Sequence, residues 1–161
     1  MTDPAAALDW AAALEATALA RTLRASVSLY PLVNTAHVVG LALLFGGILP
    51  LDLRLLGAWR DLPLAPLART ALPVAVTGLV LALGSGALLF IARARDYADE
   101  PLFIAKLALV GLAVANALWL HRRPPWQQAP AGHPLAWRVA GAGSIALWLA
   151  VIVLGRWIGY L

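Results

Sequence analysis

The chain has 161 residues, of which 62% are hydrophobic and only 12% are charged. A soluble domain carries roughly twice that share of charged residues, so the composition excludes an ordinary soluble fold. The formal net charge of +4 does not indicate a nucleic-acid partner, because the arginines cluster where apolar stretches end, as at a membrane surface. Because the chain has no cysteine, it has neither disulfides nor thiolate metal sites.

The N-terminal residues 1–26 predict a helix that lies on the membrane rather than across it. At 100° per residue, Leu8, Leu19 and Leu23 share one face of the segment 4–24. Asp9 and Arg21 fall on other faces. This weakly amphipathic pattern is typical of an interfacial helix.

Four long apolar segments follow and predict transmembrane helices. Residues 25–51 and 70–92 carry no formal charge, and residues 107–121 and 139–155 reach the length of a span once one flanking cation is included. We expect spans at about 30–57, from 67 or 72 to 92, at 101–121 and at 135–160. The sequence therefore predicts an all-α membrane protein, a four-transmembrane-helix bundle over residues 27–161. Both termini are expected on one side, called side A, and the opposite side is called side B.

The orientation in the membrane is predicted from the arginines. Cytoplasmic loops carry an excess of Lys and Arg. Side A has four arginines outside the spans, whereas side B has six: Arg54, Arg60, Arg69, Arg122, Arg123 and Arg138. We therefore expect a multi-pass protein of the bacterial inner membrane with both termini in the periplasm.

A stripe of small residues in the second span predicts a contact surface. Gly78, Ala82 and Gly86 are spaced four apart. Small residues at this spacing let a second helix approach closely. Besides the lipid bilayer, the expected partner is therefore a second copy of the chain or a larger membrane complex.

Three spans are predicted to bring a basic or titratable group to a similar depth near side A. These groups are His37, Lys106 and Arg156. Their mutual repulsion is unfavourable unless an anionic or strongly accepting group lies between them. We therefore predict a ligand site formed by these three residues and walled by Trp157, with His37 as the candidate metal ligand. The alternative is that His37 bonds a neighbouring helix while the two cations extend to the headgroups.

Two further features lie toward side B. Asp52 is costly in lipid unless it has a partner, so we predict a structural ion pair between Asp52 and Arg54. His121 ends the third span beside two arginines and is a secondary site candidate, with a wet interfacial position as its simpler interpretation.

Three segments carry a family resemblance: "AHVVGLALLFGGILPLDLRLLG", "TGLVLALGSGALLF" and "ARDYADEPLFIAKLALVGLAVANALWLHRRP". They resemble the membrane domain of copper-resistance protein D and its small relatives. The sequences "DLRLLG" and "GRWIGY" resemble more closely a family of small bacterial membrane proteins of unknown function. The larger group is similar in layout to cytochrome b561 four-helix bundles, which hold b-type haem between histidines.

The resemblance implies that His37 is an axial ligand of haem b. Spans two and four contain no histidine, so His37 of a second protomer would complete a bis-histidine site. Copper transport is poorly supported, because Cu(I) prefers thiolate or thioether ligands and the chain offers only Met1.

Three functions remain open from the sequence. The first is haem or quinone binding at the side-A site in membrane electron transfer. The second is a structural or accessory subunit of a membrane complex, and the third is a small transporter that uses His37 and Asp52. No nucleophile–base pair, phosphate loop or zinc-type cluster is evident, so no enzyme class is assigned.

Overall fold

The structure, a computed structural model, describes residues 4–122 and 134–160. Four of its helices are long and apolar enough to cross a membrane, which confirms the predicted all-α membrane bundle. The seven helices of the described residues are α1 (Pro4–Glu15), α2 (Ala18–Ala25), α3 (Leu29–Leu56), α4 (Leu64–Ala92), α5 (Ala94–Ala98), α6 (Pro101–His121) and α7 (Leu135–Ile158).

The loop between α3 and α4 is shorter than the sequence indicated. α3 ends at Leu56 and is capped by Gly57, whose φ of +109° is a left-handed conformation that terminates helices and suits glycine. α4 begins already at Leu64, directly after Pro63, rather than at 67 or 72. The uncharged run begins only at residue 70, after Arg69, so it underestimated the length of this helix.

α3 is the central helix of the bundle. It packs most extensively on α4 along one face and on α7 along another, and α7 in turn packs on α6. Side chains from all four long helices meet in one core cluster of Leu44, Ala75, Ala113, Trp148 and Val151. α6 therefore lies at the edge of the bundle, and it reaches the buried core through Ala113.

The N-terminal segment forms two helices instead of the single helix that was predicted. The break falls at Thr17, whose side chain accepts a hydrogen bond from the Ala20 N–H and so starts α2 as its N-cap. Arg24 then donates to the Ala92 carbonyl at the end of α4 (2.8 Å). The pair of helices is thereby fixed to the side-A end of the bundle. The side chains of Leu8 and Asp9 lie outside the described part.

The stripe of small residues on α4 contacts α3 of the same chain, which corrects its predicted role as a surface for a partner. A Cβ added to Gly40 of α3 would lie 2.6 Å from the Ala82 nitrogen, and one added to Gly78 would lie 2.7 Å from the Gly40 oxygen. The backbones are therefore in direct contact. The stripe does allow close helix approach, as its spacing indicated, but within the chain.

Candidate functional site

His37 lies in the α3–α4 interface near side A, held by a hydrogen bond to the neighbouring helix. Its Nδ1 is 2.9 Å from the Ala82 carbonyl oxygen and 3.2 Å from Ser85 Oγ. A carbonyl oxygen only accepts, so Nδ1 carries the proton in this arrangement. In the neutral ring, Nε2 is then left with its lone pair.

The fit of the ring depends on a glycine. A Cβ at Gly86 would come within 3.0 Å of His37 Cε1. The imidazole therefore lies against bare backbone on α4. Hydrogen bonding of one ring nitrogen to a backbone carbonyl fixes the orientation of the ring, as it does for histidines that bind ligands through the other nitrogen.

A row of stacked aromatic rings lies at the same end of the bundle. Phe103 of α6 stacks on Phe90 of α4 with ring centroids 5.3 Å apart, and Tyr97 of α5 stacks on Phe103 at 5.3 Å. Trp10 of α1 extends the row onto Phe90 at 6.1 Å. Burial raises the pKa of the Tyr97 hydroxyl, as does the nearby Tyr30. The sequence interpretation did not identify this row, because its members are far apart along the chain.

Lys106 lies against the aromatic row. Its Nζ lies 4.8 Å from the centroid of the Phe103 ring, a cation–π distance. Its positive charge also acts electrostatically on the His37 imidazole. That these two groups bind one ligand stays a prediction.

Arg156 and Trp157 do not join them. The alkyl chain of Lys106 lies beside Gly155 of α7. Arg156 is the next residue of that helix, so its side chain points about 100° further round the helix axis, away from Lys106. The Arg156 guanidinium instead lies over Tyr160, 4.6 Å from the ring centroid, and donates to its hydroxyl. Trp157 is 61% exposed. Sequence spacing could not give the direction in which these side chains point.

Asp52 and Arg54, which were expected to form an ion pair, use different partners. Residues two apart on a helix point in directions about 200° apart. Arg54 Nε donates to the Leu62 carbonyl (2.8 Å) and its Nη2 to the Arg60 carbonyl (3.1 Å), which ties down the loop after α3. In the described part of the chain, an ion pair with a nitrogen–oxygen distance within 4 Å forms between the exposed Arg93 and Asp96, and not between Asp52 and Arg54.

Asp52 instead faces a cavity of about 50 Å³ between the four long helices. Its carboxyl is 4% exposed, and the Ser144 hydroxyl lies within hydrogen-bonding reach. Oδ2 has no hydrogen-bond partner in the described part of the chain. Asn116 also lines the cavity, and its Nδ2 donates to the Ala140 carbonyl at 2.9 Å. The sequence interpretation did not include Asn116 or Ser144 in any site.

His37 and His121 lie at very different depths. Both α3 and α6 begin at side A, and the helix rise places His37 about 12 Å and His121 about 30 Å from those starts. A bis-histidine haem needs two imidazoles at one depth on facing helices. The described residues of one chain therefore do not fit such a haem, and no group of three or more His, Cys, Asp or Glu side chains within them could hold a metal ion.

Comparison with known proteins places the chain in a family without giving it an activity. No curated protein and no solved structure matches it. The resemblance to copper-resistance protein D and cytochrome b561 therefore rests on residue patterns alone. A family model, described as a family of unknown function (DUF6644), matches residues 9–161, and the chain belongs to that family.

Proposed function

We propose that this protein binds a membrane quinone at His37, at the side-A end of the bundle, and acts in membrane electron transfer. The observation that carries the proposal is the hydrogen bond from His37 Nδ1 to the Ala82 carbonyl. It orients the ring and leaves Nε2 as the available nitrogen. A neutral imidazole in this tautomer accepts a hydrogen bond from the hydroxyl of a quinol.

The surroundings of His37 match the rest of such a ligand. A quinone head is flat and stacks on aromatic rings, and the row of Phe90, Phe103 and Tyr97 lies at this end of the bundle. Lys106 supplies a cation for the second ring oxygen. The isoprenoid tail of a quinone stays in the lipid, so the site needs no large enclosed cavity.

A haem b site makes a different demand. A bis-histidine haem of the cytochrome b561 type requires a second imidazole near His37, which the described residues of a single chain do not provide. Haem would therefore need His37 of a second protomer, whereas a quinone needs one imidazole. This difference in ligand number favours the quinone.

The test combines ligand identification with binding. Protein purified in mild detergent should release a quinone on solvent extraction, detected by mass spectrometry. A short-chain quinone should also quench tryptophan fluorescence, because Trp10 belongs to the aromatic row. We expect His37→Ala to weaken this binding at least about tenfold, the effect of losing one hydrogen bond of about 1.4 kcal/mol.

His121→Ala is the matched control, because it removes an imidazole at the other end of the bundle. It should bind the quinone like the wild type. Equal affinity of His37→Ala and wild type would refute the assignment. A Soret band in the visible spectrum that disappears in His37→Ala would show a haem site instead.

A further inference from the structure

The cavity at Asp52 is separate from the proposed quinone site. Asp52 is fifteen residues beyond His37 on α3, which corresponds to about 22 Å along the helix. The cavity is bounded by residues of α3, α4, α6 and α7. A buried water needs at least about 10–15 Å³, so about 50 Å³ accommodates roughly three waters.

The charge of an ionised Asp52 would have no compensating cation in the described part of the chain. On its own helix, Arg54 is directed at the loop carbonyls. On α4 and α7, Arg69 and Arg138 are exposed, and α7 instead presents the Ser144 hydroxyl to the carboxyl. A buried carboxylate without a cation is unfavourable, and in proteins such a group takes up a proton instead.

The same cavity has a titratable group at its outer end. His121 is exposed at the end of α6 and also lines the cavity, while Asp52 is 4% exposed. An imidazole can take up a proton at one ring nitrogen and release one from the other, so it can serve as a proton-transfer group. The cavity therefore connects Asp52 with His121 at side B, and its volume is sufficient for waters to lie between the two groups.

We propose that Asp52 is a proton-binding site that exchanges protons with water at side B through the cavity, with His121 as the proton-transfer group at its entrance. Binding converts the Asp52 carboxylate to the neutral acid, and release returns the proton by the same route. Ser144 orients the carboxyl through its hydroxyl. The bound species is the proton alone, so the site works independently of any quinone at His37.

Infrared difference spectroscopy on full-length protein in lipid nanodiscs tests the binding step. The carbonyl stretch of a protonated carboxylic acid should be present in the wild type at neutral pH, and absent from Asp52→Asn. Asp61→Asn is the matched control, because Asp61 is an exposed carboxylate in the α3–α4 loop on the same side. It should keep the band, and Ser144→Ala should shift its frequency.

The exchange route is tested by transfer into D2O, which shifts the same band. His121→Ala should slow that shift by tenfold or more, since a positioned proton-transfer group accelerates transfer by roughly 10²–10⁴. His37→Ala, at the other end of the bundle, should leave the rate unchanged. Persistence of the band in Asp52→Asn would overturn the proposal, and so would an unchanged exchange rate in His121→Ala. A band that appears only after sodium is withdrawn would also overturn it, because the site would then bind a cation.

Discussion

The contact between Gly40 and Ala82 should control both the stability of the bundle and the position of His37. In Gly40→Ala, the new Cβ would lie 2.6 Å from the Ala82 nitrogen, whereas ordinary contacts begin at 3.4 Å. Both groups belong to rigid helices, so α3 and α4 must separate by roughly 0.8 Å. Overpacking of this kind costs about 1–3 kcal/mol. The same separation would lengthen the 2.9 Å bond from His37 to Ala82 beyond hydrogen-bonding distance.

Gly46→Ala is the matched control on the same helix, because nothing lies within 4 Å of a Cβ added there. It should be neutral or stabilise the helix by up to about 1 kcal/mol. Thermal unfolding in detergent measures the stability difference, and ¹⁵N chemical shifts of the imidazole report the loss of the His37 bond. Equal melting temperatures for the two variants, with unchanged imidazole shifts in Gly40→Ala, would refute the reasoning.

Three smaller predictions concern other parts of the chain. Asn116→Ala should destabilise the α6–α7 contact by about 1 kcal/mol in thermal unfolding, because its bond to the Ala140 carbonyl is lost. Arg54→Lys should lower the free energy of unfolding by about 1.5–3 kcal/mol, since one ammonium cannot replace the two guanidinium contacts to the loop carbonyls. Arg69→Lys, at an exposed arginine, should leave stability unchanged. Because burial raises the pKa of Tyr97, this group contributes stability below its ordinary pKa of about 10 that is lost as pH rises through the folded value. Tyr97→Phe should remove that alkaline loss, measured by unfolding against pH.

The sequence predicted the architecture well because the bilayer imposes strong demands on length and charge. Four uncharged runs identified the four long helices, and Gly57 marked the end of α3. The division of the N-terminal segment was not predicted, since it depends on the capping bond of Thr17 and on contacts with the bundle. Composition reports that a segment is helical and amphipathic, but not where tertiary contacts interrupt it.

The sites were predicted only in part, because depth follows from counting residues whereas facing depends on helix packing. The charge of Lys106 acts on His37, but Arg156 turns outward beyond Gly155. Asn116 and Ser144 match no motif in the sequence. They become site residues only because the four long helices bring them to the cavity at Asp52.

The central place of α3 has a consequence for the order of assembly during synthesis. The hairpin of α3 and α4 is joined by a short loop and by direct backbone contact, so it can form as soon as both segments have left the insertion machinery. The hairpin of α6 and α7 must then dock through α7, because of these two helices it is α7 that packs extensively on α3. Both the row of aromatic rings and the cavity at Asp52 include residues of α6. Neither site therefore exists until this second step is complete, and an inserted but undocked chain would have neither.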